Sequence, residues 1–352
     1  MVALYLTSME SAGKTTLCAG IGKKLVDEGE KVGFMTPIQL SNSSASDGME
    51  GVSFIKKALE LTESIEQLSP ITLPLKDLWQ NLTDDLESFT QKMKQSYAKV
   101  SADKDVVLLD GLGGLGANKV STLACYTIAE ILDVKVIIVL RYSPGLNPSE
   151  IVKIREKLGQ RMLGVIINLV PESRMKLVNQ DKVALFQEAG IKVLGVIPEV
   201  RNLLGVSVSE LAEALGGEIL TCSENADGIV ENVMLGAMTP DSGVDYFSRK
   251  ANKAAVIRGE RADMQLAALA TSTRCLILTG DLKPKPAVVY EAEDKHVPII
   301  VVKQGTSEVI DGIEDALAKA TFYSSGKLRK FEYVLDSYLG FQALYTELSM
   351  TA

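Results

Sequence analysis

Short, nearly continuous apolar segments recur along the first two hundred residues, and amphipathic segments separate them. Strands buried on both faces of a sheet have this composition. The segment TTLCAGIGKKLVDEG, at 15–29, instead places its apolar residues at helical spacing and ends at a glycine. The alternation predicts an α/β fold with a mostly parallel sheet and helices on both faces. The strands are expected at 2–6, 31–37, 105–111, 134–141, 162–170 and 191–199.

A second unit with its own strands and helices begins near residue 200. Strands are predicted at 252–259, 273–281 and 297–305, and helices at 264–272 and 306–320. We therefore predict a first α/β domain over 1–200 and a second, smaller α/β domain over 201–335. The last segment, 336–352, is amphipathic, and we expect it to form a tail that packs on either unit or on a partner.

The residues SMESAGKT, at 8–15, follow the first predicted strand and open the first predicted helix. They match the phosphate-binding pattern G-x-x-x-x-G-K-[ST] except at its first position, where Ser8 replaces glycine. In this pattern Gly13 lets the backbone approach a phosphate, Lys14 contacts the β- and γ-phosphates, and the Thr15 hydroxyl binds Mg²⁺. Ser8 requires either an unusual backbone angle or a slightly altered turn. The alternative is an ordinary strand–helix turn that contains GKT by coincidence.

The segment LLDGLGGLG, at 108–116, supplies an acidic residue for the same site. Asp110 ends a predicted buried strand, at the edge where ligands bind in open parallel sheets. We predict that it binds the metal ion and that Gly111, Gly113 and Gly114 let the chain turn under the phosphates. The alternative is a glycine-rich turn with a capping aspartate. The P-loop nucleotide contacts are predicted at Ser11, Gly13, Lys14, Thr15 and Thr16.

Charge and hydropathy exclude several classes of protein. The chain of 352 residues has 37 basic and 45 acidic residues, a formal charge of −8, which argues against nonspecific nucleic-acid binding. No apolar run approaches the roughly 20 residues of a membrane span, and no basic stretch precedes an apolar one at the N-terminus. We therefore expect a cytoplasmic protein that does not enter a membrane.

Cysteine and histidine are too sparse to build the common metal and nucleophile sites. The single histidine, His296, excludes a multi-histidine metal site, and we expect it at a strand edge or on the surface. The cysteines are far apart and match no metal-binding spacing, so we expect buried, reduced thiols at Cys18, Cys125, Cys222 and Cys275.

The order of these motifs over 1–200 resembles the dethiobiotin synthetase-like P-loop proteins. That group includes dethiobiotin synthetase, the ATP-binding domains of the cobyrinic acid a,c-diamide synthases and the amino-terminal domain of long phosphotransacetylases. The resemblance implies ATP and Mg²⁺ as ligands. It implies that Thr15, Asp47 and Asp110 bind the metal ion. It also implies that Asn168 hydrogen-bonds the adenine and that the segment of Pro198 and Glu199 lies beside the base.

The second unit resembles the DRTGG domain that follows this P-loop domain in the long phosphotransacetylases. Together the two resemblances indicate a stand-alone protein of that family without the transacetylase domain. Glu260-Arg261-Ala262-Asp263 and Thr279-Gly280-Asp281 stand near the places of the family motif, which has drifted. Arg261 and Asp263 can form a structural ion pair or bind a small-molecule ligand. The segment 231–243, rich in methionine and small residues, fits ordinary core, an interface or a pocket wall.

Two departures from the related synthetases bear on activity. Their second strand ends in a Lys-Pro pair whose lysine contacts the acyl phosphate, whereas this chain has Thr36 and Pro37. A glutaminase Cys–His pair is also missing, so the chain cannot be a complete amidotransferase of the cobyrinic acid type.

Three functions remain open after these departures. The chain can be a nucleotide-gated regulator or ATPase linked to acyl phosphate metabolism, with Lys14 as the catalytic residue if it turns ATP over. It can be an ATP-dependent ligase that activates a carboxylate or amine, or a structural remnant that binds nothing. The resemblance further implies a homodimer.

Overall fold

The structure is a computed structural model that describes residues 1–41, 45–200, 203, 205–237, 242–318 and 325–347; for residues 45–48, 318, 325 and 347 it describes the backbone alone. The chain divides into two compact units. The first contains Met1–Glu199 and Leu328–Ala352, and the second contains Val200–Lys327. The first boundary, between Glu199 and Val200, lies next to the predicted boundary at residue 200. The second unit ends at Lys327, before the predicted end at residue 335, and the C-terminal segment belongs to the first unit from Leu328 onward.

The first unit alternates strands and helices along most of its length. Its strands are β1 (Val2–Ser8), β2 (Val32–Met35), β3 (Gln39–Leu40), β4 (Thr72–Leu73), β5 (Val106–Gly113), β6 (Lys135–Arg141), β7 (Met162–Val170) and β8 (Val193–Pro198). Its helices are α1 (Lys14–Asp27), α2 (Ala45–Ala58), α3 (Ile65–Leu68), α4 (Leu75–Thr83), α5 (Leu86–Ser101), α6 (Lys119–Ile131), α7 (Ser149–Leu158), α8 (Met175–Leu177) and α9 (Val183–Glu188), with a π-helical turn (Val178–Lys182) joining the last two.

Six of these strands form one parallel sheet in the order β2-β5-β1-β6-β7-β8. Strand β1 lies in the middle, between β5 and β6, so the loop after it is flanked by the ends of both neighbours. The apolar residues of β1, β5, β6 and β7 are almost entirely buried, because helices cover both faces of the sheet. The predicted parallel α/β fold is confirmed. The short pair β3 and β4 was not predicted from the pattern.

The C-terminal residues of the first unit pack on α1. The helices in this part of the chain are α15 (Ser325–Tyr338) and α16 (Phe341–Glu347). A Cβ atom on Gly20 of α1 would come within 2.5 Å of a methyl carbon of Leu335, so the two helices approach closely at this glycine. Lys24 forms an ion pair of 3.0 Å with Asp336. The absence of a side chain at Gly20 thus makes room for the C-terminal segment.

The second unit is also α/β. It contains β9 (Val206–Ser207), α10 (Val208–Ala214), β10 (Glu218–Thr221), β11 (Ile229–Val230), β12 (Asn232–Leu235), α11 (Gly243–Phe247), β13 (Lys253–Arg258), α12 (Ala262–Leu269), β14 (Thr273–Thr279), α13 (Pro286–Asp294), β15 (Ile299–Val301) and α14 (Thr306–Ala318). Five strands form a sheet in the order β10-β15-β14-β13-β12, in which only β10 runs antiparallel to its neighbour.

Alternate residues of the second sheet face two separate apolar layers. Ala255 and Ile257 of β13 belong to one buried cluster, and Ala254 and Val256 belong to the other. The segment suggested as core or pocket wall contributes Met234, which is buried in the first cluster; residues 238–241 lie outside the described part of the chain. The predicted second α/β fold is therefore confirmed. Strand β15 (Ile299–Val301) is shorter than the strand predicted at 297–305.

Candidate functional site

The loop after β1 leads directly into α1. Helix α1 begins at Lys14, and Gly13 before it has a left-handed backbone with φ of +76°. Glycine adopts this conformation without the steric cost that a Cβ atom brings. The first turn of α1 contains no acidic residue, so the free amides of this helix end favour an anion. The local structure is therefore that of a phosphate-binding loop.

Ser8 ends β1 and does not adopt a positive φ. Its hydroxyl donates a hydrogen bond of 2.6 Å to the carbonyl oxygen of Glu10, and its own carbonyl accepts one of 3.1 Å from the amide of Leu115. Of the two possibilities for Ser8, the left-handed backbone angle does not occur. The side chain that replaces the usual glycine thus helps to hold the loop.

Lys14, Thr15 and Asp110 meet at the carboxyl edge of the sheet. The Thr15 hydroxyl donates a hydrogen bond of 2.6 Å to Oδ2 of Asp110, and Nζ of Lys14 lies 3.5 Å from Oδ1. Asp110 is 6% exposed. The two residues of the P-loop and the acidic residue of the separate segment 108–116 are brought together by the parallel pairing of β1 with β5.

The donor set at this edge fits a hard divalent cation. Oδ1 of Asp110 is buried, and apart from its ion pair with Lys14 it has no hydrogen-bond partner among the residues that the structure describes. Carboxylate and hydroxyl oxygens are the ligands that Mg²⁺ prefers, and phosphates and waters usually complete its shell. No cluster of three acidic, histidine or cysteine side chains suited to a metal ion occurs in the described residues. For the predicted third ligand, Asp47, the structure describes the backbone and not the side chain, so its role stays a prediction.

The glycines after Asp110 do not all act as predicted. Gly111 and Gly113 lie inside β5, which continues to Gly113, and neither has a positive φ. Gly114 does, with φ of +85°, and it begins the turn. Gly111 is required for a different reason, because a Cβ atom there would approach the ring of Tyr5 to 2.5 Å. Only Gly114 of the three thus serves the turn.

Asn168 contacts the P-loop itself. Its side-chain amide donates a hydrogen bond of 2.8 Å to the carbonyl oxygen of Ala12, and the residue is buried. A Cβ atom on Gly13 would come within 3.0 Å of the same Nδ2 atom. The described contact therefore positions the phosphate-binding loop, and a contact with adenine stays a prediction.

Arg141 also contacts the loop, although it was not among the residues predicted from the sequence. It ends β6, pairs with Asn168 in the sheet, and donates a hydrogen bond of 3.3 Å from Nη1 to the carbonyl oxygen of Ser11. An arginine that closes an apolar strand at the ligand edge is the signal that could have found it. Ser11 itself is exposed and Thr16 is half-buried.

The last predicted nucleotide contacts lie at the end of β8. Pro198 pairs with Val170 in the sheet, and the amide of Glu199 donates a hydrogen bond of 2.8 Å to the carbonyl oxygen of Val170. They therefore occupy the same carboxyl edge as the P-loop, two strands beyond β6. A contact of either residue with the base stays a prediction.

Thr36 lies just after β2, at the position where the resemblance implied a lysine. Its amide donates a hydrogen bond of 2.7 Å to the carbonyl oxygen of Leu68, and its hydroxyl is buried without a partner among the described residues. A neutral hydroxyl therefore occupies this position.

Residues singled out in the second unit have mainly structural contacts. The Arg261 guanidinium contacts the Asp263 carboxylate at 2.7 Å near the start of α12, as the structural interpretation predicted. That pairing lowers the pKa of Asp263. Gly280 and Asp281 both have positive φ after β14. His296 lies in the turn before β15, where its amide donates to the carbonyl oxygen of Glu293.

All four cysteines are free, and three are buried while Cys222 is half-buried. Within the described ranges, no helix has both the length and the apolar character needed to cross a bilayer.

Comparison with known proteins identifies two domain families along the chain. Residues 3–207 match the AAA domain family, and residues 210–316 match the DRTGG domain. The dethiobiotin synthetase of Methanococcus vannielii is 24% identical over 206 residues, which are 56% of this chain and 94% of that protein. The phosphate acetyltransferase of Pseudomonas aeruginosa is 23% identical over 320 residues, 84% of this chain and 44% of that protein.

The phosphate acetyltransferase of Nitratidesulfovibrio vulgaris gives a similar result, with 22% identity over 90% of this chain and 47% of that protein. The chain thus spans about half the length of these acetyltransferases. Among solved structures, chloroplast FtsY of Physcomitrella patens is 19% identical with a TM-score of 0.32, over 55% of this chain and 57% of that one. Since the first family covers more than half of the sequence, the chain belongs to the AAA domain family, as a dethiobiotin synthetase-like P-loop domain followed by a DRTGG domain.

Proposed function

We propose that this protein binds ATP with Mg²⁺ at the start of α1 and acts as a nucleotide-dependent regulator or slow ATPase. The observation that carries the proposal is the meeting of Lys14, Thr15 and Asp110 beside the left-handed Gly13. A loop of this kind presents backbone amides, one positive charge and hard oxygen ligands to a nucleotide polyphosphate.

Each residue has a role that follows from its place. Lys14 would leave Asp110 for the β- and γ-phosphates, while Thr15 and Asp110 would hold the cation, with Asp47 as the proposed third ligand. Bound Mg²⁺ would neutralise charge on the phosphates. Arg141 and Asn168 would keep the loop in shape through their contacts with its carbonyl oxygens.

The adenine is proposed to lie beside the carboxyl ends of β7 and β8. Asn168, Pro198 and Glu199 occupy that edge, as the resemblance implies. Because Asn168 already donates one amide hydrogen to Ala12, its carbonyl oxygen and its second hydrogen are the groups that would meet the base.

Thr36 favours a regulator over a ligase. A ligase that forms an acyl phosphate needs positive charge where the new anion develops, and Thr36 supplies none. The second candidate, an ATP-dependent ligase acting on a carboxylate or amine, is supported by the match to dethiobiotin synthetase along 94% of that relative. The match to phosphate acetyltransferases across both units supports a link to acyl phosphate metabolism.

We also propose that the protein forms a symmetric homodimer, as the resemblance implies. Light scattering measures the molar mass of the particle in solution and tests this proposal.

Calorimetric titration of ATP with Mg²⁺ into the wild type, Lys14→Ala and Lys23→Ala tests the site. We expect micromolar binding that is lost in Lys14→Ala and kept in Lys23→Ala, which removes a charge from the same helix away from the loop. Absence of binding by the wild type would overturn the proposal.

Turnover of ATP then separates the two candidates. A regulator should hydrolyse ATP slowly and at the same rate when carboxylates are added. A rate that rises with one carboxylate or amine would instead identify a ligase and its acceptor class.

A further inference from the structure

The C-terminal residues of the first unit contact both the P-loop helix and the last strand of its sheet. We call residues 328–347, which contain most of α15 and all of α16, the C-terminal clamp. Leu335 packs against Gly20 of α1, where a Cβ atom would come within 2.5 Å of its methyl carbon. Leu339 forms an isolated antiparallel bridge with Gly195 of β8, an outer strand of the sheet. The clamp thus joins the helix that begins at the P-loop to one edge of the sheet.

Charged and polar contacts hold the second half of the clamp on α1. Nζ of Lys24 lies 3.0 Å from Oδ1 of Asp336 and 3.3 Å from Oε1 of Glu28. The Tyr345 hydroxyl donates a hydrogen bond to the Glu28 carboxylate. The hydrogen bond with Asp336 is the main reason why the pKa of Lys24 is raised. Each charged group in this half of the clamp therefore has a complementary partner.

Glu332 lies one helical turn before Asp336 and lacks such a partner at one of its oxygens. Its Oε1 is buried and has no hydrogen-bond partner among the described residues. The charges that act on this carboxyl group are those of Lys23 and Asp27 on α1 and of Arg329 and Asp336 on α15. Lys23 already pairs with Asp27, and Arg329 is exposed. A buried oxygen without a donor is costly, and it is more costly when the group is ionised.

Protonation of Glu332 is therefore favoured while the clamp is in place. Burial, followed by repulsion from Asp27, raises the pKa of Glu332 above its ordinary value of 4.5. When the clamp leaves α1, the carboxyl group reaches water and its pKa returns to that value. By linkage, the contact of the clamp with α1 is most stable below the ordinary pKa, and it loses stability as pH rises through the raised pKa.

We propose that the C-terminal clamp is a pH-sensitive element, in which protonation of Glu332 seats α15 on α1 and ionisation loosens this contact. The ion pair of Lys24 with Asp336 and the packing of Leu335 on Gly20 do not depend on this proton. Ionisation therefore makes the clamp open more often and does not remove it. The element acts on the helix that begins at the P-loop, and it requires no nucleotide.

Hydrogen–deuterium exchange of the full chain, followed by mass spectrometry from about pH 5 to about pH 8, tests the proposal. Protection factors correct for the pH dependence of exchange in an unstructured chain, so they report how often the clamp opens. We expect the protection of residues 328–347 to fall by about fivefold as pH rises, the effect of roughly one unsatisfied buried oxygen. Helix α6 of the same unit is the internal reference and should show no such fall.

Three variants separate this titration from other effects of acid. Glu332→Gln keeps the size of the side chain and removes its charge, so protection should stay at the acid value over the whole range. Asp27→Asn removes the repelling carboxylate and leaves Lys23 free to pair with Glu332, so the pH dependence should become smaller. Glu156→Gln, which changes an exposed glutamate of α7, should behave as the wild type does.

The proposal is overturned when the protection of the clamp does not fall relative to α6, or when Glu332→Gln keeps the pH dependence of the wild type. Asp27 is exposed, so Asp27→Asn gives a result even where Glu332→Gln does not fold, and an unchanged pH dependence in it also overturns the proposal. All measurements are made without nucleotide, so failure here leaves the ATP site untouched, and failure of the ATP site leaves this result standing.

Discussion

The side-chain amide of Asn168 donates a hydrogen bond of 2.8 Å to the carbonyl oxygen of Ala12, and this contact ties the end of β7 to the P-loop. Ala12 precedes Gly13, whose left-handed backbone connects the loop to the start of α1. A residue predicted to bind a base therefore also sets the geometry of the phosphate site. An experiment can separate contact with the adenine from positioning of the P-loop, because only the first role depends on the presence of the base.

Replacing Asn168 with alanine should weaken binding of ATP and of base-free tripolyphosphate alike, by about tenfold, the usual value of one buried hydrogen bond. Calorimetry with both ligands measures this. Asn179→Ala is the matched control, because that exposed amide bonds only to its own helix. A loss confined to ATP would assign Asn168 to the adenine and not to the loop.

Removing the oxygen ligands should abolish the Mg²⁺ dependence of ATP affinity. Thr15→Val and Asp110→Asn each delete a hard ligand, so added Mg²⁺ should no longer tighten binding. Without Mg²⁺, Asp110→Asn should bind ATP at least as tightly as the wild type, since a carboxylate beside phosphates repels them. Titrations with and without a chelator check both statements, with exposed Thr83→Val as the control. Unchanged Mg²⁺ dependence in Asp110→Asn would remove Asp110 from the metal site.

The contact of Gly111 with Tyr5 should appear as a coupling in stability. Gly111→Ala forces a methyl group against a fully buried ring and should lower the free energy of unfolding by about 1–3 kcal/mol. Gly113→Ala in the same strand should cost less, because its nearest atom is the Ser8 hydroxyl at 3.6 Å. Urea unfolding measures both. Tyr5→Leu with Gly111→Ala should destabilise less than the sum of the single changes, and additivity would contradict the packing.

The cysteines should differ in reactivity by their burial. Burial raises the pKa of Cys125 and Cys275 to about 12, so only about one in ten thousand of either is thiolate at pH 8. Alkylation of the native protein at pH 8, followed by mass spectrometry, should modify half-buried Cys222 first. Modification of Cys275 at the rate of Cys222 would contradict the structure, and the unfolded chain, in which all four react, is the control.

The raised pKa values of Cys125 and Cys275 also predict how the free energy of unfolding changes with pH. Folded Cys125 and Cys275 hold their protons above the ordinary thiol pKa, whereas the unfolded chain releases them. The free energy of unfolding should therefore fall as pH rises from about 8.5 toward 12, and replacing both by alanine should make that slope shallower, while buried Cys18 keeps its own contribution. Urea unfolding across this pH range measures the slope.

The sequence alone determined the class of the fold and the position of the P-loop. Short apolar runs that alternate with amphipathic helices are typical of the central strands of a covered parallel sheet, and Gly13 before Lys14 marks a backbone that few other residues adopt. These features are local, because they depend on neighbours within one turn or one strand. The α/β P-loop domain predicted from them is confirmed, and so is the DRTGG domain that the family resemblance implied.

The tertiary structure decided what distant residues do to one another. Nothing near Asp110 in the sequence shows that it lies 2.6 Å from Thr15, nor that Gly111 clears space for Tyr5 instead of turning the chain. The tie from Asn168 to Ala12 likewise arises from strands that meet only in the folded sheet. In the first unit such contacts join residues that are 95 to 156 positions apart, and they depend on register and packing, which a local pattern does not encode.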